Sequence, residues 1–277
     1  MKFKLELFVK EAVLFGMTLA VGIFSAYRIT ISSVPVIIPE VRFDWGDAIF
    51  LAMLALFFIF FSRHQRVIRF SFKLFLILIV FSGTSVIMGA MLGSPWDIWI
   101  TVLIAATFLS IKNVLTHNVG IILAVAGVGS LLGLAISPGT AVVIMVILSF
   151  YDIIAVYVTK HMVKMAKTMM ESGAIFGFII PSQMSGFFSH KQEAQVQARV
   201  GSRFMILGSG DIGLPVVLAS SVARYSLASA IIVAVFSLAG LFITHLIFVN
   251  QQERKPMAAL PPIATMSIIG YLLTVLL

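Results

Sequence analysis

Nine predominantly apolar runs follow one another along the chain, broken by charged or proline-containing connections. Runs of roughly 16 to 22 such residues match the thickness of a bilayer core. They predict transmembrane helices near 12–34, 46–62, 70–92, 97–111, 118–136, 139–159, 204–222, 226–249 and 258–277. The runs are continuously apolar and lack the alternation of a barrel strand, which excludes a transmembrane β-barrel. With 60% hydrophobic and only 11% charged residues, the chain has too little polar surface for a soluble globule. The expected fold class is an all-α polytopic membrane protein with nine spans, each satisfying its own backbone as the bilayer requires.

Short connections such as SPGT at 137–140 make consecutive spans antiparallel neighbours. Two connections are longer. Residues 35–45, PVIIPEVRFDW, read as interfacial, and 160–203 form the one polar segment. The chain therefore divides into 1–159 with six spans, 160–203 as a basic interfacial connection, and 204–277 with three spans. The net charge of +8 does not point to nucleic acid, because Lys and Arg cluster in the flanks of spans. Arg63, Arg66, Arg69 and Lys73, then Lys112, then Lys160, Lys164, Lys167, Lys191, Arg199 and Arg203, and finally Arg254 and Lys255 fall on one side. The positive-inside rule then predicts a cytoplasmic N-terminus and 160–203 connection, and an outside C-terminus, in a membrane that is expected to be the cell membrane. A cleavable signal peptide is not expected, since Met1 to Glu11 leads into an apolar run without a small-residue cleavage site. Without cysteine there is neither disulfide, thiol nucleophile nor thiolate metal site.

Eleven acids are present. Glu6, Glu11, Glu40, Asp44, Asp47, Asp97, Glu171, Glu193 and Glu253 fall at predicted helix ends or in connections, whereas Asp152 (SFYDIIAVYVTK) and Asp211 (GSGDIGLP) fall within spans. A charge near the bilayer centre costs at least about 2.5–3.5 kcal/mol, so an intramembrane carboxylate marks a functional site by default. Asp152 precedes Lys160 by as many residues as Asp211 follows Arg203, and at about 1.5 Å per helical residue both would lie at one depth below the same face. Two facing carboxylates in a low dielectric cannot both ionise cheaply and share a proton. An aspartic protease uses that arrangement, one carboxylate acting as base on water and the other as acid on the amide carbonyl. Gly208, Gly210 and Gly213 leave room beside Asp211, and Pro215, lacking an N–H, leaves the Asp211 carbonyl without its usual helical partner.

Tyr151-Asp152 in one span, Gly208-Ser209-Gly210-Asp211 in the next and Ala259-Leu260-Pro261 at the start of the last resemble the YD, GxGD and PAL signatures of the presenilin and signal peptide peptidase family, and the chain looks like a microbial-type presenilin homologue. The resemblance implies intramembrane aspartyl proteolysis. Asp152 and Asp211 would be the catalytic pair, Gly208 and Gly210 part of the second motif, and Tyr151, Ala259, Leu260 and Pro261 supporting residues near the substrate. Ala258 stands where the third motif opens with proline. The implied substrates are transmembrane segments, unwound locally and paired as a strand with an edge of the enzyme, then hydrolysed near their cytoplasmic third. No cofactor or metal is called for. Nothing in the sequence calls for an accessory subunit, and an oligomer stays open.

Within the long connection, Lys160, Lys164 and Lys167 share a helical face and read as an extension against anionic lipid. The run GAIFGFIIPS at 173–182 is too short to span; by itself it reads as docking on the membrane or as disorder, and the resemblance to presenilins, whose corresponding connection holds a self-cleaved apolar stretch, implies that it occupies or gates the site. Competing chemistries find less support. His64, His117, His161 and His190 fall in connections and His245 stands alone, there is no HExxH for a metalloprotease, and no GxSG for a rhomboid serine protease. A prepilin-peptidase-like aspartyl protease would act on a shallower leader. A transporter would use Asp152 and Asp211 as proton or cation sites, but the six-plus-three division shows no inverted repeat.

Overall fold

A computed structural model describes residues 5–32, 49, 53, 65–159, 169–170, 173–191, 204–251 and 256–276. Among them are eight α-helices: α1 (Leu5–Ile31), α2 (Gln65–Met91), α3 (Trp96–Ser110), α4 (Val114–Ala135), α5 (Pro138–Ile153), α6 (Ser209–Ala223), α7 (Leu227–Val249) and α8 (Leu260–Leu276). The expected span at 46–62 lies outside the described residues. Five helical segments are long and apolar enough to cross a bilayer: Leu5–Ile31, Arg69–Met91, Val114–Ala135, Pro138–Val158 and Leu227–Val249. The molecule is a multi-pass membrane protein.

Local chemistry sets several helix starts. The side chains of Asn113, Ser137 and Ser226 accept the backbone N–H groups of Thr116, Thr140 and Ser229 at 2.7, 3.1 and 3.2 Å, capping α4, α5 and α7. Pro138 follows its cap at a position where a missing N–H costs nothing. Packing between spans relies on small residues, because lipid offers no hydrophobic drive to associate. At the α2–α4 crossing a side-chain carbon on Gly83 would come within 2.6 Å of the Ala124 Cα, and one on Gly127 would overlap the Gly83 carbonyl. Only two bare backbones fit there.

Helix α4 is central, packed against α1, α2, α3 and α6. Helices α7 and α8 form the closest pair, with Ser237 Oγ and Ser267 Oγ 2.7 Å apart in their buried interface. Helix α5 is peripheral and is held by α6 and α8; Val143, Ile147 and Phe150 along it are exposed, as lipid-facing residues should be.

The all-α expectation needs one correction. Residues 177–181 (GFIIP) and 204–208 (FMILG) form an antiparallel pair, β1 (Gly177–Pro181) and β2 (Phe204–Gly208), with Ile179 opposite Ile206. The expected span 204–222 therefore begins as a strand, and its helix starts only at Ser209. Two short apolar runs can pair across the connection and satisfy each other's backbone, which neither does by merely docking on the membrane. The 173–182 run, expected to occupy or gate the site, supplies β1, whose residues are all buried.

The Ser209 N–H donates to the Phe176 carbonyl at 3.2 Å, so the alternation makes Phe178 and Ile180 the residues bonded to β2 and turns Gly177, Ile179 and Pro181 away from it. Ile179 and Ile206 are then a non-hydrogen-bonded pair, about 4.5 Å apart at Cα, within reach of a disulfide. Ile179→Cys with Ile206→Cys, in a chain that has no cysteine of its own, should cross-link on mild oxidation. Ile179→Cys with Met205→Cys should not, and peptide mapping by mass spectrometry distinguishes the two registers.

Candidate active site

Asp152 is the penultimate residue of α5 and is buried at 7% exposure. Beyond it the chain runs into a π-helical turn, Ile154–Val158, in which the Thr159 N–H reaches back to the Ile154 carbonyl at 2.9 Å. Such widened turns inside helices recur at functional sites. The Asp152 Oδ2 accepts the backbone N–H of Leu260 at 3.4 Å. Leu260 opens α8, where first-turn N–H groups have no helical partner and favour an anion. Pro261 and Pro262, which follow, fit a helix start for the same reason that Pro138 does.

The segment before α8 is also held from the other side. Thr244 of α7 donates its hydroxyl to the Gly240 carbonyl at 3.0 Å and lies 3.4 Å from the Ala259 carbonyl. Ala258, in the place of the motif's proline, is buried at 5% exposure and precedes the helix rather than joining it. The helix start is thus fixed by Leu260, Pro261 and Pro262 without a proline at 258.

Asp211 is the third residue of α6. Strand β2 delivers the chain to Gly208, which caps α6 in an extended conformation, φ −65° and ψ 144°, and the Asp211 carboxylate lies against Gly208. A side-chain carbon on Gly208 would stand 3.1 Å from the Asp211 Oδ2, whereas one on Gly210 would meet open space. Pro215 lies inside α6 and is buried. Helices α5, α6 and α8 pack against one another, and the Asp152 carboxylate is near enough for its charge to act on Asp211. The structure thus gathers Asp152, Asp211, Gly208 and Leu260. Ala259 and Pro261 flank Leu260 and are partly buried; Tyr151 is 53% exposed.

Three sequence expectations change here. The matched depth of Asp152 and Asp211 requires helix on both sides, but β2 precedes Asp211, and an extended strand climbs about 3.3 Å per residue rather than 1.5 Å. The proximity of the two acids comes from helix packing instead. Glu11, expected at a helix end, is inside α1 at 1% exposure, and His245, expected alone, is its partner: Nδ1 lies 3.1 and 3.0 Å from the two carboxylate oxygens. This bond ties α1 to α7 one residue from Thr244. His117, expected in a connection, is buried in α4. Such tertiary pairs have no signature within one span.

Residues 52–277 match the family described as signal-peptide peptidase, presenilin aspartyl protease. The chain belongs to that family. It is an intramembrane aspartic protease, and mostly helical like its structural neighbours. Two crystal forms of a presenilin family intramembrane aspartate protease share the fold, with TM-scores of 0.59 and 0.58 and 23% identity in each case. The first comparison covers 96% of this chain and 95% of the other, the second 95% and 96%. No curated protein matches the chain.

Two outcomes follow for this presenilin-family site. Gly208→Ala should push the Asp211 carboxylate aside and lower kcat about tenfold or more, as measured on a transmembrane peptide, because misplacement by a fraction of an ångström is enough. His245→Phe leaves Glu11 buried without its partner and should destabilise the fold by about 3–5 kcal/mol, read as a fall in melting temperature in detergent; Glu11→Gln with His245→Phe should recover much of the loss.

Proposed function

We propose that Asp152 and Asp211 are the two carboxylates that activate water, and that the substrate is a transmembrane segment presented as an extended strand along β2. The observation that carries this reading is the placement of two acids on adjacent apolar helices that pack against each other, with a strand ending at one of them. Sharing one proton, one carboxylate removes a proton from water as its oxygen bonds to the scissile carbonyl carbon. The other donates its proton to the carbonyl oxygen. Collapse of the tetrahedral diol returns a proton to the departing amide nitrogen and breaks the C–N bond, giving an acid and an amine. The Leu260 N–H steadies Asp152 while its charge changes.

A peptide bond inside an α-helix is shielded by its own turn, so the substrate span has to unwind before attack. Beta-strand addition supplies the partners that unwinding removes. The outward backbone groups of Phe204 and Ile206 have no partner among the described residues, and β2 leads directly to Gly208 and Asp211. In the orientation set by the basic connections, with the N-terminus and 160–203 cytoplasmic, cleavage falls in the cytoplasmic third of the substrate span. The division into 1–159, 160–203 and 204–277 then has functional meaning: each flanking part carries one acid, and the connection carries β1.

Asp152→Asn and Asp211→Asn should each lower kcat/KM by about a thousandfold or more on a transmembrane peptide while the protein stays folded. A peptide analogue with a hydroxyl in place of the scissile carbonyl should inhibit the wild type. Persistent cleavage in either variant would remove the two-acid assignment. Proton or cation flux in proteoliposomes without any cleavage would favour a transporter.

A further inference from the structure

A two-stranded sheet has two edges, and a third strand can join at either unless one is blocked. On β1 the outward groups belong to Gly177, Ile179 and Pro181, and side chains from two spans occupy them in turn. His117 Nε2 lies 3.1 Å from the Gly177 carbonyl, which can only accept, so that nitrogen carries the proton. Asn118 meets Ile179 twice: its Nδ2 donates to the Ile179 carbonyl at 2.8 Å and its Oδ1 accepts the Ile179 N–H at 2.9 Å. Lys10 Nζ donates to the Pro181 carbonyl at 3.3 Å, to the Ser182 carbonyl at 2.8 Å and to Glu6 Oε1 at 2.8 Å. His117, Asn118 and Lys10 are 2%, 0% and 5% exposed.

These contacts recur every second residue, the interval at which a neighbouring strand would bond. The Asn118 amide in particular offers one donor and one acceptor to one residue, as a strand residue does. The geometry points to His117, Asn118 and Lys10 as substrate-positioning residues: they close the β1 edge and fix the sheet's register, so that a substrate strand adds only along β2 and at one offset from Asp211. This rests on the proteolytic reading above, and it adds how the cleavage position is set. It concerns residues that touch the sheet and not the substrate.

Register is where the argument has most force. A slip of β1 by one residue would turn its bonding groups to the wrong side, and a slip by two keeps the same face. Were Pro181 moved to the place of Ile179, it would have no N–H to give Asn118 Oδ1, which would be left buried and unpaired. Pro181 therefore forbids one of the two slips that keep the face; the opposite one would put Ile175 in the place of Gly177, where a side-chain carbon would overlap the Leu207 carbonyl. The pairing of Ile179 with Ile206 carries the fixed register on to β2 and to the free groups of Phe204 and Ile206.

The test uses the full chain in detergent with an apolar transmembrane peptide, reading product masses, kcat and KM, and amide hydrogen exchange over 204–208. Asn118→Leu should raise KM about tenfold and add a second product displaced along the peptide by two residues. Pro181→Ala, which restores the N–H without touching Asn118, should add the same second product and keeps the proposal testable if Asn118→Leu fails to fold. Lys10→Met should act in the same direction. Unchanged KM and a single unchanged product in folded variants would overturn the assignment, and so would a fall in kcat alone with the product unchanged. Protection of 204–208 by bound peptide in a wild type that cleaves nothing would instead take away the protease reading and leave the edge assignment in place.

Discussion

Backbone N–H and C=O groups cannot be left bare in hydrocarbon, and that constraint governs which departures from helix this chain can make. Helices satisfy it internally. The β1–β2 pair cannot, so it exists only because β2 satisfies one side of β1 while His117, Asn118 and Lys10 satisfy the other. The outward groups of Phe204 and Ile206, without a partner among the described residues, are what make β2 a place for another strand on the reading proposed above. A protease whose substrates are helices benefits from a site where the unwound form is the one that finds partners.

Around the two acids, helix ends do much of the work. Asp152 meets the N-terminus of α8, and Asp211 sits in the first turn of α6 with its carboxylate turned toward Gly208. The first uses a donor that regular helix leaves over. The glycines of the second motif differ: Gly208 is held close to the carboxylate, whereas a side-chain carbon on Gly210 would meet open space. The anchoring of the 258–260 segment by Thr244 and Asp152 shows why Ala258 is tolerable there, since the fixed points are a hydroxyl, a carboxylate and the two prolines that follow.

Much of this was legible in the sequence. Apolar runs located most of the described spans to within about five residues, except α1, which starts at Leu5 rather than 12, and the one that opens as β2; two acids stood out because no other acid lay in the predicted interiors. What stayed hidden depended on pairing across long separations. Glu11 and His245 each look unremarkable in their own runs, and only the folded contact of α1 with α7 makes them a buried pair. FMILG reads as the continuation of the following helix, because local apolarity does not distinguish helix from strand; its pairing with GFIIP decides. Asn118 shows the same limit, since a lone amide at the start of an apolar helix carries no sign that its partner lies in a connection far along the chain.

Helix α6 has 15 residues, about 22 Å of rise, against a hydrocarbon core of about 30 Å. Strand β2 precedes it in place of a further helical turn, so protein shape or local thinning of lipid, rather than helix length, would have to match the membrane around Asp211. Acyl-chain length thereby becomes a variable of this enzyme: thicker bilayers put the carboxylates farther from bulk water, and thinner ones bring the reactant of hydrolysis closer to them.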